Sequence, residues 1–571
     1  MIDTSISSCA NSNASLGIDQ ACFSILNLYI NPVIFYAIAW EAYTGTGVPL
    51  ATLTPKSNTS LIISTKYPLH IYYQTVEPHK NYEYCHTTYT FKEYGSYGWN
   101  ISSADICSNI YVIHEPRNSY FPILTAFMIY MLLAVTWTTS KVIIRVIRGK
   151  LSPNNVYDDL NRLQEENTTH PVIRVTKFSS RIQSVDAFRG IAILLMIFVN
   201  NGGGKYVFFN HSAWFGLSVA DLILPWFAWI MGMSITISKR AELRLTTSRV
   251  KITLCCLRRS AILILLGLML NSIDSKSLND LRFPGILQLL AVSYFVCAIL
   301  ETIFMKPHSQ DILLQFGRFA IFRDILDSWP QWLIMAGIMT THTLITFFLH
   351  IPNCPMGYFG PGGKYHYRGK YMNCTAGAAG YIDRLIFGNH TYSKIKDSIY
   401  GQILRYDPEG LMNTISAIFI VYLGVHAGKI LLLYYQGNAR LIRWFLWAIF
   451  TGIIAGILCN FESEGGVIPV SKRMMTLSYV LTCSSFAFLL YAILYFLIDY
   501  KQFWSGAPFI YAGINPIFLY VGHVLTKDLF PWAWNIAHPS HASLLAMNLW
   551  TTTLWAIIAY LLYRKDIIIT I

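Results

Sequence analysis

The chain has 571 residues, of which 54% are apolar, 15% are aromatic and only 13% are charged. That balance is typical of a polytopic membrane protein and argues against two or three soluble domains. The formal net charge is +13, but the sequence contains no soluble domain with interleaved basic and aromatic residues, so we expect no nucleic-acid partner.

The first part of the chain, residues 1–119, differs from the rest. Alternating β-prone residues at 69–73 predict a small β-rich domain. We interpret the apolar stretch 21–40 as strands, with an unusual signal anchor as the alternative, and residues 1–20 carry no signal-peptide pattern. Glycan acceptor sites and several cysteines indicate the lumenal side of a membrane. The Asn-x-Ser/Thr sequons begin at Asn13, Asn58 and Asn100, and the cysteines are Cys9, Cys22, Cys85 and Cys107.

Apolar stretches long enough to cross a membrane follow this domain. A membrane-spanning helix needs about 17 to 25 such residues, and an odd number of spans places the two termini on opposite sides. We predict a polytopic α-helical membrane protein with about eleven transmembrane helices: one at 120–138, then a polar cytosolic linker at 139–184, then ten in a domain at 185–571. The eleven stretches are 120–138, 185–202, 218–238, 251–271, 285–305, 330–350, 411–430, 441–459, 474–498, 507–525 and 546–563.

The distribution of lysine and arginine predicts the orientation. Short cytosolic loops are rich in these residues, and the loops after the first and third spans are rich in them, whereas the short loops after the second and fourth spans are poor. The N-terminal domain and the loop after the second span are therefore predicted to be lumenal, and Arg564 and Lys565 place the C-terminus in the cytosol. Cys354 and Cys374 bracket a predicted lumenal loop with sequons at Asn373 and Asn389, which indicates a further disulfide.

A polar cluster lies at the end of the second span. It contains Asn200, three glycines, Lys205 and His211, and Asp221 follows just inside the third span. Ionisable groups at membrane depth are costly and usually mark a working site. The glycines and Lys205 lack the spacing of a phosphate loop. The sequence also contains no zinc-ligand spacing, HExxH or GxSxG, so we expect no metal and no serine hydrolase.

The same region carries a family resemblance. Its motifs are SVDAFRG at 184–190, FVNNGGGKY at 198–206, HSAWFGLSVADL at 211–222, PWFAWIMG at 225–232, RFPGILQ at 282–288, CPMGYFGPGG at 354–363, DPEG at 407–410, Tyr479, and YVGH at 520–523. In this order they resemble the heparan-alpha-glucosaminide N-acetyltransferase family over about residues 181–571. Phe215, Ser471 and Met475 stand where that family is expected to have Asn, Asn and Trp, which leaves fine substrate specificity open.

The resemblance implies a lysosomal membrane enzyme in which the ten-helix domain is the acetyltransferase. Such an enzyme takes acetyl from cytosolic acetyl-CoA and delivers it to the non-reducing terminal glucosamine of heparan sulfate in the lumen, in support of its degradation. The resemblance also implies a homodimer. Two alternatives stay open, namely a membrane acyltransferase for another sugar or lipid, and a solute transporter.

His211 is the predicted catalytic residue, as a general base toward the amine or as a nucleophile that forms an acetyl-imidazole. Both routes need a neutral ring, so we predict that burial lowers its pKa. Asn200 is expected to orient the imidazole or to stabilise the oxyanion, with a solvated helix end as the alternative. Asp221 is expected to pair with His211, Lys205 or the substrate amine, although helix electrostatics also explains it. His523 is the alternative base, or a packing histidine.

Glu409 is the candidate carboxylate for the glucosamine amine, while Asp407 is expected to cap a helix. Arg189 is a candidate phosphate contact, and a local pair with Asp186 is its structural alternative. Arg282 is a candidate for attracting sulfated glycan ends, with scattered surface charge as the alternative. Four further arginines are candidates for the 3′-phosphate and pyrophosphate of the donor, or else serve only to orient the chain. They are Arg240, Arg244, Arg258 and Arg259.

Overall fold

The computed structural model contains a small β-rich domain followed by a bundle of helices, which confirms the predicted fold class. The predicted linker lies largely outside the described residues, as do Cys9 and the sequon at Asn13. The described residues are 16–39, 48–75, 83–102, 107–151, 181–245, 248–273, 277, 279, 281–305, 322–364, 366–391, 400–401 and 403–569.

The N-terminal domain consists of two four-stranded sheets, with strand orders β4-β1-β7-β8 and β3-β2-β5-β6. Its core is aromatic, because Phe23, Phe35 and Tyr73 all lie within 6.4 Å of the Trp99 ring, measured between centroids. A disulfide joins Cys85 to Cys107. The strands are β1 Gln20–Asn27, β2 Val33–Ala39, β3 Val48–Leu53, β4 Asn58–Ser64, β5 Leu69–Thr75, β6 Glu83–Tyr89, β7 Ser96–Ile101 and β8 Tyr111–His114. The described part of the stretch 21–40 therefore contains two strands, β1 and β2, as predicted.

The helical part contains thirteen helices that matter for the site. They are α1 Phe121–Leu151, α2 Gln183–Asn200, α3 Val219–Leu245, α4 Arg249–Ser272, α5 Ile286–Phe304, α6 Trp329–Phe348, α7 Gly377–Phe387, α8 Leu411–Leu433, α9 Gly437–Cys459, α10 Leu477–Tyr495, α11 Phe509–Ile514, α12 Pro516–Leu525 and α13 His541–Arg564.

Within the described ranges, nine helices are long and apolar enough to cross a membrane, so the predicted count of eleven is not confirmed. The helix α6 spans 20 residues but carries Gln331, His342 and several threonines. The stretch 507–525 is broken into α11 and α12 at Asn515, whose φ of −120° and ψ of 53° are not helical. Pro516 begins the second piece and has no N–H with which to continue the first.

The centre of the bundle is the contact between α3 and α8, where two glycines allow the backbones to touch. A Cβ on Gly232 would lie 1.9 Å from the Val421 carbonyl oxygen, and one on Gly424 would lie 1.9 Å from that of Trp229. No side chain larger than hydrogen fits at either position. This contact packs α8 against α3, the helix whose first turn carries Asp221.

The β-rich domain docks at the end of the bundle where the loop 201–218 lies. Tyr206 donates its hydroxyl hydrogen to the Ser119 carbonyl at 2.7 Å, and His541 Nε2 lies 3.2 Å from Asp19 Oδ1. The helix α1 touches the bundle through Tyr130, whose hydroxyl lies 2.7 Å from Thr553 Oγ1. The N-terminal domain and the polar cluster therefore share one end of the molecule.

Candidate active site

The candidate site begins where α2 ends. Gly202, Gly203 and Gly204 have φ values of +110°, +54° and +69°, which a residue with a side chain adopts rarely. This turn starts the loop 201–218, which carries His211 back to the first turn of α3. The three consecutive glycines are therefore required by the conformation of the loop.

His211 and Asp221 form a hydrogen-bonded pair, with His211 Nδ1 2.8 Å from Asp221 Oδ1. The Asp221 side chain is fully buried, whereas 48% of the His211 side chain is exposed. The second carboxylate oxygen accepts hydrogen bonds from the backbone N–H groups of Ser212 and Ser218 at 3.1 Å, and from the Ser218 hydroxyl at 2.9 Å. An acceptor held this firmly assigns the proton to Nδ1, so Nε2 carries the lone pair that a base or nucleophile needs.

Lys472 is the third member of this cluster. It comes from the loop 460–476 between α9 and α10, and its Nζ lies 2.9 Å from His211 Nδ1, 3.1 Å from His211 Nε2 and 3.7 Å from Asp221 Oδ1. Burial lowers the pKa of Lys472, and the charges of Asp221 and Glu409 oppose that shift. Burial also lowers the pKa of His211 against the bond from Asp221, with Lys472 adding to the lowering. The direction agrees with the sequence prediction for His211.

Tyr479 supports the pair from behind. Its buried hydroxyl donates to the Asp221 backbone carbonyl at 2.5 Å, so the family motif residue holds the turn of α3 that presents Asp221. Ser471, one of the three departures from the family pattern, donates its hydroxyl hydrogen to the Trp214 carbonyl at 2.8 Å. Trp214 in turn donates its indole N–H to the Phe359 carbonyl at 2.7 Å. The loop that carries His211 is thus tied to two other loops.

Glu409 belongs to a second charged group at the same end. Arg282 donates to both oxygens of Asp407, at 2.7 and 2.5 Å, and also bonds Glu409. Burial raises the pKa of Glu409, while Arg282 and Lys472 oppose that shift. Glu409 therefore interacts electrostatically with the Lys472 that contacts His211. Arg282 is engaged by two carboxylates, which favours a structural role for it over the attraction of sulfate.

The prediction that Asp407 caps a helix is wrong. The helix α8 begins at Leu411 with Gly410 as its N-cap, and the Leu411 N–H donates to Asp383 Oδ1 at 3.0 Å. Asp407 instead accepts the Glu409 N–H at 3.1 Å, because the chain makes one more turn before the helix starts. A carboxylate from α7, distant in sequence, takes the capping position that Asp407 was expected to fill.

Asn200 and His523 form a separate pair. Asn200 Nδ2 lies 3.1 Å from His523 Nε2, and His523 Nδ1 lies 3.2 Å from the Leu519 carbonyl. Because that carbonyl can only accept, Nδ1 carries the proton and Nε2 accepts from Asn200. Asn200 therefore orients His523 on α12, because the last turn of α2 faces α12. The prediction that Asn200 orients the His211 ring is wrong.

Lys205 does not take the expected place beside Asp221. It is exposed, with a φ of +59°, and among the described residues the cation near Asp221 is Lys472. Sequence reasoning missed Lys472 because 261 residues separate it from His211. The only available signal was its position beside Ser471, a few residues before Tyr479.

The predicted donor cations lie toward the opposite end of the bundle. Arg189 donates to Asp186 at 3.1 Å, to the Gly513 carbonyl at 3.0 Å and to Ser234 at 2.7 Å, which matches the structural alternative. The helix α2 has 18 residues and rises about 1.5 Å per residue. Arg189 lies in its first half, so more than half the length of the helix separates Arg189 from Asn200 at the other end. Arg240 donates to the Leu432 carbonyl at 3.0 Å, Arg259 lies 4.9 Å from the centre of the Tyr294 ring, and Arg244 and Arg258 are exposed.

In the part of the chain that the structure describes, no group of three or more His, Cys, Asp or Glu residues is arranged to hold a metal ion. The arrangement around His211 is suited to proton transfer and nucleophilic chemistry. A buried carboxylate fixes the ring, and the Lys472 ammonium lies within 3.1 Å of both ring nitrogens.

Comparison with known proteins shows the family of the chain. A family model for heparan-alpha-glucosaminide N-acetyltransferase, catalytic, matches residues 181–370. The mouse heparan-alpha-glucosaminide N-acetyltransferase is 38% identical over 515 residues, covering 85% of this chain and 77% of the relative. The human protein of the same name is 38% identical over 518 residues with the same two shares. The chain therefore belongs to the heparan-alpha-glucosaminide N-acetyltransferase family of membrane-embedded transferases.

Proposed function

We propose that this protein transfers acetyl from cytosolic acetyl-CoA to the amine of the terminal glucosamine of heparan sulfate, with His211 as the reacting residue. The observation that carries the proposal is the His211–Asp221 pair at 2.8 Å, in a cluster that ties together loops distant in sequence. A carboxylate-bound histidine with its other nitrogen available is the usual base or nucleophile in acyl transfer.

Two routes use the same nitrogen. In the first, His211 Nε2 attacks the thioester carbon, the carbon–sulfur bond breaks and CoA leaves. The glucosamine amine then attacks the acetyl-imidazole, and the carbon–nitrogen bond to the ring breaks. In the second, Nε2 accepts a proton from the amine while that amine attacks the thioester carbon directly, the carbon–sulfur bond breaks, and the CoA thiolate leaves and takes up that proton. Asp221 serves both routes, because its carboxylate stabilises the ring when positive charge develops on it.

The acceptor is proposed to enter at the His211 end. Glu409 is a partly buried carboxylate there, and its charge acts on Lys472, which supports a role in holding the substrate ammonium. Both carboxylates already have partners, Asp221 in His211 and Ser212 and Glu409 in Arg282, and we assign the amine to Glu409 because Asp221 orients the catalytic ring. His523, paired with Asn200, lies beside this end and is assigned to substrate positioning.

The donor is proposed to enter from the opposite end. The exposed Arg244 and Arg258 and the partly buried Arg240 would face the phosphates of acetyl-CoA. The pantetheine arm would then cross the membrane interior toward His211. Arg189 and Arg181 both pair with Asp186, so these inner arginines are less available to the phosphates than the exposed ones.

We propose the lysosomal membrane as the location, with the N-terminal domain in the lumen and the C-terminus in the cytosol. Support comes from two disulfides, Cys85–Cys107 in the docked β-rich domain and Cys354–Cys374. The second lies in the loop whose Phe359 carbonyl bonds Trp214. Disulfides persist in oxidising compartments, so the His211 end is assigned to the lumen.

The proposal is tested with full-length protein purified in detergent and labelled acetyl-CoA. Transfer to glucosamine and to a heparan sulfate oligosaccharide is measured for the wild type and for His211→Ala, at matched melting temperature. We expect transfer that His211→Ala lowers by about 10²–10⁴-fold. Transfer that survives in His211→Ala but is lost in His523→Ala would move the catalytic assignment to His523. Folded wild type that transfers no acetyl to either acceptor contradicts the proposal, and a liposome uptake assay would then test solute transport.

A further inference from the structure

We propose that Lys472 is a positioning residue whose ammonium group holds the His211 imidazole in its neutral, Asp221-bonded form when the surrounding solution is acidic. The inference rests on the proposed function, and it names the group that lets a histidine-based transferase work where free imidazole would be protonated. It starts from the contacts of Nζ with both ring nitrogens, at 2.9 and 3.1 Å.

The backbone on both sides of Lys472 is fixed to the loop that carries His211. Ser471 bonds the Trp214 carbonyl at 2.8 Å, and Arg473 Nε donates to the Ala213 carbonyl at 2.8 Å. The carbonyl of Arg473 is itself held by the Tyr406 hydroxyl at 2.6 Å. Lys472 thus lies between two anchored residues, and only 16% of its side chain is exposed.

Because Nζ lies 2.9 Å from Nδ1 and 3.1 Å from Nε2, its charge acts on the whole ring, and the protonation of Nε2 is the step that it opposes. Nδ1 donates to Asp221, so the second proton of an imidazolium would have to sit on Nε2, 3.1 Å from the Lys472 ammonium. Two cationic donors facing each other at that distance repel strongly, because partly buried charges interact through a low effective dielectric constant. Lys472 therefore disfavours the imidazolium while it leaves the bond to Asp221 intact.

Without Lys472, the balance around the ring would reverse. Asp221 is a buried carboxylate 2.8 Å from Nδ1, and on its own it would favour a positively charged ring. Lys472 lies 3.7 Å from the same carboxylate and neutralises it. Two carboxylates, Asp221 and Glu409, in turn favour the charged form of Lys472. Three charged groups act on His211, namely Asp221 of α3 and Lys472 and Arg473 of the loop 460–476. Asp221, Arg473 and Glu409 act on Lys472, and Cys483 of α10 is a further titratable neighbour of Lys472.

The first test compares pH profiles of kcat/KM, which report ionisations of the free enzyme. The variants are Lys472→Met, which keeps the apolar stem, and Lys472→Arg, which keeps the charge. Lys66→Met, at an exposed lysine of the β-rich domain, is the matched control. We expect the kcat/KM of Lys472→Met to be about tenfold lower at pH 5 than at pH 7.5, relative to the wild type, because the midpoint of the acid limb of its pH profile moves up by about one pH unit. Lys472→Arg and Lys66→Met should keep the wild-type limb.

The second test needs no acetyl transfer. Diethyl pyrocarbonate acylates neutral imidazole, so its rate of reaction at His211, followed by peptide mass spectrometry against pH, gives the midpoint for that ring. The exposed His538 provides the reference in the same sample. We expect the His211 midpoint to move to higher pH in Lys472→Met and to stay in place in Lys472→Arg.

The two tests separate the possible failures. If the wild type transfers no acetyl but the His211 midpoint moves in Lys472→Met, the proposed function fails and the role of Lys472 stands. If Lys472→Met lowers activity equally at every pH and leaves the His211 midpoint unchanged, Lys472 is only a structural residue and the inference is overturned. If Lys472→Met lowers the melting temperature, the pH midpoint for His211 is measured at a temperature below that of melting, where the fold is intact.

Discussion

Asn200 and His523 are 323 residues apart in the chain, yet the amide nitrogen of one lies 3.1 Å from the ring nitrogen of the other. The family motif that contains Asn200 and the motif that contains His523 therefore meet at one point beside the turn 202–204. This pair is distinct from the His211–Asp221 pair, so the end of the bundle carries two oriented histidines with different partners.

A double-mutant cycle tests whether Asn200 acts through His523. We expect the effects of Asn200→Ala and His523→Ala on transfer to be non-additive by about 0.5–3 kcal/mol, as for residues in direct contact. The comparison cycle pairs Asn200→Ala with Asp221→Asn. Additive effects in the first cycle and strong coupling in the second would show that Asn200 serves the His211 pair instead.

Replacing Asp221 by Asn tests the carboxylate itself. The amide is nearly the same size but cannot compensate positive charge on the ring, and it can offer His211 a hydrogen where an acceptor is needed. We expect kcat to fall by about 10²–10⁴-fold with a small change in KM. Because Asp221 also accepts from Ser212 and Ser218, the melting temperature must be compared too. A large rise in KM at unchanged kcat would assign Asp221 to substrate binding.

Much of the fold could be predicted because its signals are local. Apolar length identifies the helices from α1 to α5, those from α8 to α10, and α13, and β-prone alternation identifies the N-terminal domain. The count is not confirmed at 507–525, where the composition is apolar but Asn515 and Pro516 interrupt the helix. It is not confirmed at α6 for the opposite reason, since the length of that helix is sufficient but its threonines, His342 and Gln331 reduce its hydropathy.

The site was predictable where its members are close in sequence. His211 and Asp221 lie ten residues apart, so His211 was among the three partners that the sequence offered for Asp221. Lys472 and the Asn200–His523 pair depend on how α2, α12 and the loop 460–476 pack together. No periodicity or motif spacing encodes those contacts. For this reason the sequence suggests Lys205 as the lysine beside Asp221, whereas the structure has Lys472 there.

The Cys354–Cys374 disulfide is expected to support the site as well as the fold. It closes a loop with a sequence separation of 20 residues, and removing a disulfide of that size costs about 3 kcal/mol. The same loop supplies the Phe359 carbonyl that holds Trp214, three residues after His211. The variant with both cysteines changed to serine should melt earlier and lose activity, as measured by thermal unfolding and acetyl transfer. An unchanged kcat at a temperature well below melting would mean that the loop stabilises the fold but does not support the site.

Asp383 gives the fold a pH dependence of its own. Burial raises the pKa of this carboxyl to about 7 from an ordinary 3.8, the charge of Asp407 adds to the shift, and the Leu411 N–H and Arg384 oppose it. Between these two values the folded protein holds a proton that the unfolded chain has lost. The free energy of unfolding therefore falls as pH rises from about 4 to 7, by at most about 1.4 kcal/mol for each unit of pKa shift.

Asp383→Asn removes this ionisation while it keeps an oxygen for the Leu411 N–H, which donates to Oδ1 at 3.0 Å. We expect the melting temperature of the variant relative to wild type to increase between pH 5 and pH 7.5, because only the wild type must then bury a carboxylate at the start of α8. Asp407→Asn is unsuitable as a control, since Asp407 pairs with Arg282. The exposed Asp528, changed to Asn, provides the matched comparison. Parallel melting curves for wild type and Asp383→Asn across that range would mean that Asp383 is ionised throughout in the folded protein.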